Sequence, residues 1–147
     1  MPFDFTPMQP LEDSEVTKAL IRGKAAIAKP RHWIKDAETS DDRSRYCAVG
    51  AVRWAGLKLP DLGVFRSVGV DRCKAIDVLQ AIAFTHFGTS VERFNDLPRT
   101  KHRHIMILFD LAIAYSREKQ SAGDSSDATD ALLRFRAVGS GLHGFKL

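Results

Sequence analysis

The chain has 147 residues, of which 44% are hydrophobic and 27% are charged, and this size and composition suit one domain with a continuous core. The interspersed charges exclude a wholly disordered or low-complexity protein. The longest apolar runs are far shorter than the roughly 20 residues of a membrane-spanning helix. The net charge of +4 and the pI near 9.3 are compatible with a polyanionic partner, although many proteins without such a partner share them.

Two features favour a cytoplasmic protein. Residues 1–10 show neither the basic nor the apolar region of a secretory signal. Cys47 and Cys73 are too few for a disulfide framework, and each is predicted to be a small buried hydrophobe in a helix. We therefore expect reduced thiols and a cytoplasmic location.

The N-terminal part predicts an arm followed by a helix. Residues 1–12 contain three prolines, which fix φ and remove backbone donors, so an extended arm is expected. Asp13 or Ser14 is predicted to cap the first helix, whose apolar residues recur at three- and four-residue spacing until Pro30 ends the pattern.

A second helix is predicted from about Ser44 to Ala55, and Gly56 is expected to close it in the left-handed conformation. Residues 57–69 contain Pro60, Gly63 and Gly69, and their apolar residues do not recur at a helical spacing. They are therefore predicted to form a connection, with one short extended piece at Val64 and Phe65.

Asp71 is predicted to cap a third helix that Gly88 closes. Thr89 and Glu92 then have the spacing of a capping box, which predicts about one helical turn. Residues 94–98 are predicted to form a turn.

The clearest helical pattern runs from Thr100 to about Arg117. Its predicted core face consists of Ile105, Leu108, Phe109, Ala112 and Ile113. Residues 120–127 read as a linker of Ser, Gly and Asp, and Asp127 or Thr129 is predicted to cap a last short helix through Val138.

These elements predict a mainly α protein, built as a compact bundle of about five helices. The helical domain is predicted at residues 13–119. An extended arm at 1–12 is expected before it, and 120–147 are expected to form a linker, a short helix and a flexible Gly-rich tail.

Three short motifs follow one another in the chain: an early Trp before a polar loop, an aromatic-Cys-x-x-Gly-Ala helix, and an aromatic-Asn-Asp turn before a Thr-capped helix. Their residues are Trp33; Tyr46, Cys47, Gly50 and Ala51; and Phe94, Asn95, Asp96, Pro98 and Thr100. In this order they resemble a family of small bacterial and phage-borne proteins classed as a domain of unknown function. The resemblance covers about residues 33–114 and implies a fold and an order of elements, but no chemistry.

A basic cluster surrounds the start of the predicted Thr100 helix. Its residues are Arg99, Lys101, His102, Arg103 and His104. Unpaired N–H groups and the helix dipole favour negative charge there, so an anion such as a phosphate of nucleic acid or nucleotide would relieve the repulsion. The alternative is an ordinary hydrated surface that Asp96 partly neutralises.

Cys47 is the one candidate nucleophile. On paper it combines with His86 or His32 as base and with Asn95 or Asp96 as orienting group. The alternative is a structural cysteine packed between helices, with the Asn and Asp forming a local turn.

His102 and His104 form a His-x-His pair, but residues two apart on a helix point about 200° away from each other. No zinc-site spacing accompanies them, and the usual nucleotide-binding and hydrolase motifs are missing from the sequence. We therefore predict no metal and no cofactor.

The sequence favours a non-enzymatic binding or adaptor protein of bacterial or phage origin, with another protein or a second copy as partner. One alternative is a nucleic-acid or phosphate binder that uses residues 99–104. Another is a cysteine-dependent enzyme centred on Cys47. No membrane partner is expected.

Overall fold

The computed structural model describes residues 11–57 and 65–122, with only the backbone for 65–68. These ranges contain five α-helices and one 3-10 turn: α1 Glu15–Ala26, the 3-10 turn Pro30–His32, α2 Ala48–Trp54, α3 Phe65–Phe87, α4 Val91–Asp96 and α5 His102–Ser121. The prediction of a mainly α bundle of about five helices is confirmed. Most of the predicted arm and the predicted last helix lie outside the described residues.

α1 lies at the centre of the bundle, where it packs against α2, α3 and α5. Gly23 permits the close approach of α1 to α2, because a Cβ atom at residue 23 would lie 2.9 Å from Val52 Cγ2. The fully buried side chains include Leu20, Val52, Leu79, Ile82, Phe94, Ile105, Leu108 and Phe109. Burial of each large apolar side chain contributes about 1.5 to 3 kcal/mol, so this core is the main source of stability.

The start of α1 agrees with the prediction. The Ser14 hydroxyl caps it by accepting a hydrogen bond from the Thr17 N–H at 3.2 Å. The Thr17 hydroxyl in turn lies 2.6 Å from the Ser116 hydroxyl of α5, so a buried polar contact sets the position of the two helices.

α2 is shorter than predicted, since it begins at Ala48 rather than Ser44. Tyr46 is held in an extended conformation by two backbone hydrogen bonds: its N–H donates to the His32 carbonyl at 2.9 Å and its carbonyl accepts from Ile34 at 3.1 Å. These long-range bonds prevent the helix from starting earlier. Gly56 has φ +76°, as its predicted left-handed role requires.

α3 is longer than predicted, because it begins at Phe65 and not after Asp71. The predicted connection at 57–69 is therefore helical from residue 65 onward. Gly69 within a helix costs only about 1 kcal/mol, which tertiary contacts easily offset. One such contact is Arg72, whose Nη1 donates to the carbonyls of Val52, Arg53 and Ala55 at 2.8 to 3.1 Å and so caps the C-terminal end of α2.

Two cysteine predictions have different outcomes. Cys47 is buried as expected, whereas Cys73 is exposed on α3, so the prediction of a buried Cys73 is wrong. The helical stripe that includes Cys73 continues past the edge of the core. Gly88 ends α3 with φ +68°, as predicted.

α4 extends through Asp96, so residues 94–96 are helical and not part of a turn. Its cap is Ser90 instead of the predicted Thr89, because the Ser90 hydroxyl accepts from the Arg93 N–H at 3.2 Å. Phe94 stacks on Phe87 with 4.2 Å between ring centroids. This packing against α3 favours the helical conformation.

α5 begins at His102, two residues after the predicted Thr100 cap, and continues to Ser121. Thr100 is buried in the preceding turn, where its N–H donates to the Leu97 carbonyl at 3.0 Å. The linker predicted from Gln120 therefore starts too early. The Gln120 side chain bonds to Ser14 and Glu12, which keeps this last turn of α5 against α1.

The predicted core face of α5 is confirmed, since all five of its residues are buried. No helix in the described ranges has the length and apolar character needed to cross a bilayer.

Candidate functional site

The side-chain amide of Asn95 joins the three motifs found in the sequence. Its Oδ1 accepts from Trp33 Nε1 at 2.7 Å and from the Ala48 N–H at 3.2 Å. Its Nδ2 donates to the Ile34 carbonyl at 3.1 Å and to Asp96 Oδ1 at 2.9 Å. Asn95 is 1% exposed, and these four bonds use both donors and both acceptor positions of the amide. The amide is therefore fully engaged within the protein.

Asp96 extends the same network. Its Oδ1 also accepts from the Asp36 N–H at 2.9 Å, and Asp36 has φ +59°. The carboxylate thus stabilises a backbone turn of the 33–39 loop in the left-handed conformation, which costs energy for a residue with a side chain.

Cys47 is the N-cap of α2, and its Sγ accepts from the Gly50 N–H at 3.3 Å. Its own N–H donates to the Glu38 carbonyl at 3.1 Å. A Cβ atom on Gly50 would overlap that same carbonyl oxygen and would lie 2.9 Å from its carbon. The Cys-x-x-Gly spacing therefore caps a helix and admits the 33–39 loop against it.

A cleft of about 270 Å³ lies beside this network. Its described lining includes Asp36, Glu38, Cys47, Arg53, Glu92, Asn95 and Asp96. Glu38 Oε1 accepts from Arg53 and from Trp54 Nε1, and Glu92 accepts from Gln80. The cleft is mainly acidic, and three of its four carboxylates, those of Glu38, Glu92 and Asp96, already accept hydrogen bonds within the protein.

The environment of Cys47 disfavours a thiolate. Burial raises the pKa of the Cys47 thiol, and the charges of Glu38 and Asp96 raise that pKa further, although the N–H groups of Gly50 and Val49 act in the opposite direction. The structure brings Cys47 together with Asn95 and Asp96. The described residues that line the cleft include neither of the candidate bases, His86 and His32.

Those two histidines lie elsewhere. His86 is in the last turn of α3, 6.4 Å from the Phe87 ring, and burial lowers the pKa of its imidazole. His32 ends the 3-10 turn, and its Nε2 accepts from Arg31 Nε at 3.4 Å. Neither therefore supplies the geometry of a thiol–base pair in this structure.

The basic cluster at residues 99–104 divides into two groups. Arg99, Lys101 and Arg103 are exposed. The two histidines instead make contacts within the protein: His102 Nε2 donates to the Ile27 carbonyl at 2.6 Å, and the buried His104 accepts from the Lys101 N–H through Nδ1 at 2.9 Å. His104 thus binds the Lys101 N–H, one of the backbone donors that an anion at this end of α5 would otherwise use.

Three further cations extend this surface. Lys35 Nζ donates to the Leu97 carbonyl at 2.6 Å and lies 5.4 Å from the Trp33 ring centroid. Lys29 and Arg31 flank Pro30 in the 3-10 turn, which reaches α5 through the contacts of His102 with Ile27 and Trp33. We define the basic surface as Lys29, Arg31, Lys35, Arg99, Lys101 and Arg103.

None of the six cations of the basic surface forms an ion pair within the described part of the chain. The ion pairs found there involve Lys18, Lys24, Arg53 and Arg117, and none of the six cations. Burial lowers the pKa of His104, and the neighbouring charges of Arg103, Lys101 and Lys35 lower that pKa further. Arg103 Nε donates to His104 Nε2 at 3.2 Å, so at least this cation lies directly at the first turn of α5, where the charges of Lys101 and Lys35 also act.

The sequence pattern pointed to the 99–104 half of this surface but not to Lys29, Arg31 and Lys35. The two halves are about 70 residues apart in the chain. The flanking of Pro30 by two basic residues was the only local signal. Within the described ranges, no group of three or more His, Cys, Asp or Glu side chains is arranged to hold a metal ion.

Comparison with known proteins gave one match. No curated protein and no solved structure matches the chain. The model of DUF6197, a family of unknown function, matches residues 12–115, which include α1 to α4 and most of α5. The resemblance to a family of unknown function is thereby confirmed, and the chain belongs to the family of unknown function DUF6197.

Proposed function

We propose that the protein acts by binding rather than by catalysis, and that its basic surface binds the phosphate backbone of a nucleic acid. The observation that carries the proposal is a surface of six cations that form no ion pair in the described chain, three of which, Lys35, Lys101 and Arg103, act on the one imidazole of His104. Desolvating an unpaired cation is unfavourable, whereas pairing it with phosphate releases condensed counterions and favours association.

The shape of the basic surface supports a polymer over a single phosphate. Its cations come from the 3-10 turn, the 33–39 loop, the α4–α5 turn and the first turn of α5. A single anion at the α5 N-terminus would compete with His104 for the Lys101 N–H. A chain of phosphates contacts several separated cations without displacing that imidazole.

The motif residues support a non-enzymatic role. The Asn95 amide is saturated by protein groups, and the Cys47 sulfur caps α2. These side chains are explained by the architecture alone, because they position the 33–39 loop, α2 and α4. A cysteine-dependent enzyme would need a lowered thiol pKa, and burial has the opposite effect on Cys47.

An adaptor that binds protein or a second copy through its arm and tail remains a prediction. The residues that would carry it, 1–10 and 123–147, lie outside those that the structure describes.

The nucleic-acid proposal is tested with fluorescently labelled duplex DNA and single-stranded RNA of about 20 nucleotides at several salt concentrations. We expect affinity to fall steeply with salt. The triple variant R99A/K101A/R103A is expected to weaken binding and to reduce the slope of log K against log salt by about 3 on duplex DNA and about 2 on single-stranded RNA, because each lost phosphate contact removes about 0.9 or 0.7 respectively.

The matched control is R22A/R43A/R45A, which removes the same charge from exposed positions outside the basic surface. If both triple variants lose the same affinity, net charge alone drives binding and the proposed surface is wrong. Undetectable or salt-insensitive binding of the wild-type protein would also overturn the proposal.

The non-enzymatic role of Cys47 is tested by iodoacetamide labelling at pH 7.5 and peptide mapping. The exposed Cys73 is an internal positive control. We expect labelling of Cys73 in the folded protein and of Cys47 only after denaturation. Equal labelling rates at the two cysteines in the folded protein would restore the enzyme hypothesis.

A further inference from the structure

A second surface lies at the other end of α5 from the basic surface. It is a groove of about 670 Å³ between α1, α3 and α5. Its floor is mainly apolar and includes Val16, Val78, Ala81 and Tyr115, while Lys74, Asp77 and Lys119 line it with charge.

The apolar character of the groove continues along α3. Val70 and Phe84 are 53% and 58% exposed, and each lies seven residues from Asp77. Seven residues are close to two helical turns, so both side chains share the face of α3 that lines the groove. From Val70 to Phe84 this face is about 21 Å long. Such an exposed apolar face normally has a partner.

The last described helix, α5, ends beside this groove. Lys119 and Gln120, in the last turn of α5, form one end of its lining. Residues 123–127 follow and span up to about 17 Å when extended. The sequence after them places Ala128, Ala131, Leu132 and Phe135 at the spacing of one helix face.

We propose that residues 128–138 cover the groove as an intramolecular segment. A helix over these residues is about 15 Å long, which fits the exposed face of α3. Asp130 precedes Arg134 in the segment. In the proposed position, Asp130 pairs with Lys74 and Lys119 near the end of α5, and Arg134 pairs with Asp77. The matched family region ends at residue 115, so this cover lies outside the part shared with the family.

The cover is independent of nucleic-acid binding, because the basic surface surrounds the first turn of α5 and the groove lies along its last turns. In this proposal residues 128–138 occupy the groove, so an amphipathic helix of another protein must displace them before it can bind there. The tethered segment has the advantage of a high effective concentration.

The experiment uses the full-length chain and compares Leu132→Glu with Leu133→Glu. The two substitutions are chemically identical, but Leu133 lies about 150° from the centre of the apolar stripe. Tryptic cleavage after Arg134 and Arg136 is followed by mass spectrometry, since a docked segment is cut only when it opens. We expect Leu132→Glu to be cut at least about tenfold faster than the wild type, and Leu133→Glu to be cut at about the wild-type rate.

Methyl NMR spectra of Val16 and Val78 give a second readout on the groove itself. Their signals are expected to shift in Leu132→Glu and to stay in place in Leu133→Glu. Equal cleavage rates in all three proteins, with unchanged methyl signals, would overturn the proposal. Protection that increases with protein concentration would also overturn it, because the occupant would then be a second copy.

Discussion

At the scale of single residues, the Cys-x-x-Gly motif is explained by two contacts at the start of α2. The Cys47 sulfur occupies the place where Ser, Thr, Asp or Asn usually caps a helix. Gly50 is required because the Glu38 carbonyl occupies the space of its absent Cβ. The pattern resembles that of a reactive cysteine, but here the thiol is a buried cap with a raised pKa.

Gly50→Ala is therefore expected to destabilise the protein by about 2 kcal/mol or more, because a backbone carbonyl must move to admit the methyl group. The free energy of unfolding is measured by urea denaturation. Gly69→Ala is the matched control, since a Cβ there meets no atom within 4 Å, and we expect it to stabilise α3 by up to about 1 kcal/mol. Similar free energies of unfolding for the two variants would show that the Glu38 carbonyl moves at little energetic cost.

At the scale of secondary-structure elements, helix interiors agreed with the sequence pattern better than helix starts. The start of α5 shows why. Thr100 has the right residue type for a cap, but its burial in the α4–α5 turn places the first helical residue at His102. His104 then bonds the Lys101 N–H from within the helix. A cap formed by a residue three positions later is not visible in residue type alone.

The His104 cap predicts a dependence of stability on pH. Burial lowers the pKa of His104 in the folded protein, so the unfolded chain binds a proton more readily. The stabilising contribution is present above the ordinary pKa of 6.5 and is lost as the pH falls below it. His86 contributes in the same direction, because burial lowers its pKa as well.

Urea denaturation between pH 7.5 and pH 5 measures this effect. His104→Asn keeps a hydrogen-bond acceptor but does not titrate, so we expect it to lose part of the pH dependence. The remainder is expected to disappear when His86 is also replaced. An unchanged pH dependence in His104→Asn would refute the proposed role of the imidazole.

At the scale of the whole molecule, one buried amide holds together three distant segments. Asn95 in α4 reaches the 33–39 loop and the start of α2. This polar network, together with Trp33 packed against the apolar core, sets the position of the loop, and the loop carries Lys35 of the basic surface. Asn95 thus links the fold to the proposed binding site without contacting a ligand.

Asn95→Asp is expected to lower the free energy of unfolding by about 2 to 4 kcal/mol, because it leaves the Ile34 carbonyl unpaired and places a buried carboxylate next to the carboxylate of the exposed Asp96. Gln120→Glu makes the same chemical change at a partly exposed position, and we expect a loss below about 1 kcal/mol there. Thermal or urea unfolding compares the two. Equal losses would indicate that water reaches Asn95.

The sequence by itself determined the helical class, the approximate positions of the main helices, the buried face of α5 and the left-handed glycines at 56 and 88. These features depend on periodicity and on local backbone preference, which are properties of neighbouring residues. It also identified Trp33, Cys47 and Asn95 as members of one pattern, but it did not show that they meet.

Only the tertiary structure decided where α2, α3 and α5 begin, that Cys73 is exposed, and that Lys29, Arg31 and Lys35 join the basic residues near α5. Each of these depends on contacts between segments far apart in the chain, such as Tyr46 with His32, Arg72 with α2, and His102 with Ile27. Each such hydrogen bond contributes about 0.5 to 1.5 kcal/mol, so two or three together outweigh the roughly 1 kcal/mol that typically separates residue types at a helix end. Local preference therefore predicts the helices, and long-range hydrogen bonding decides their ends and the surface they form.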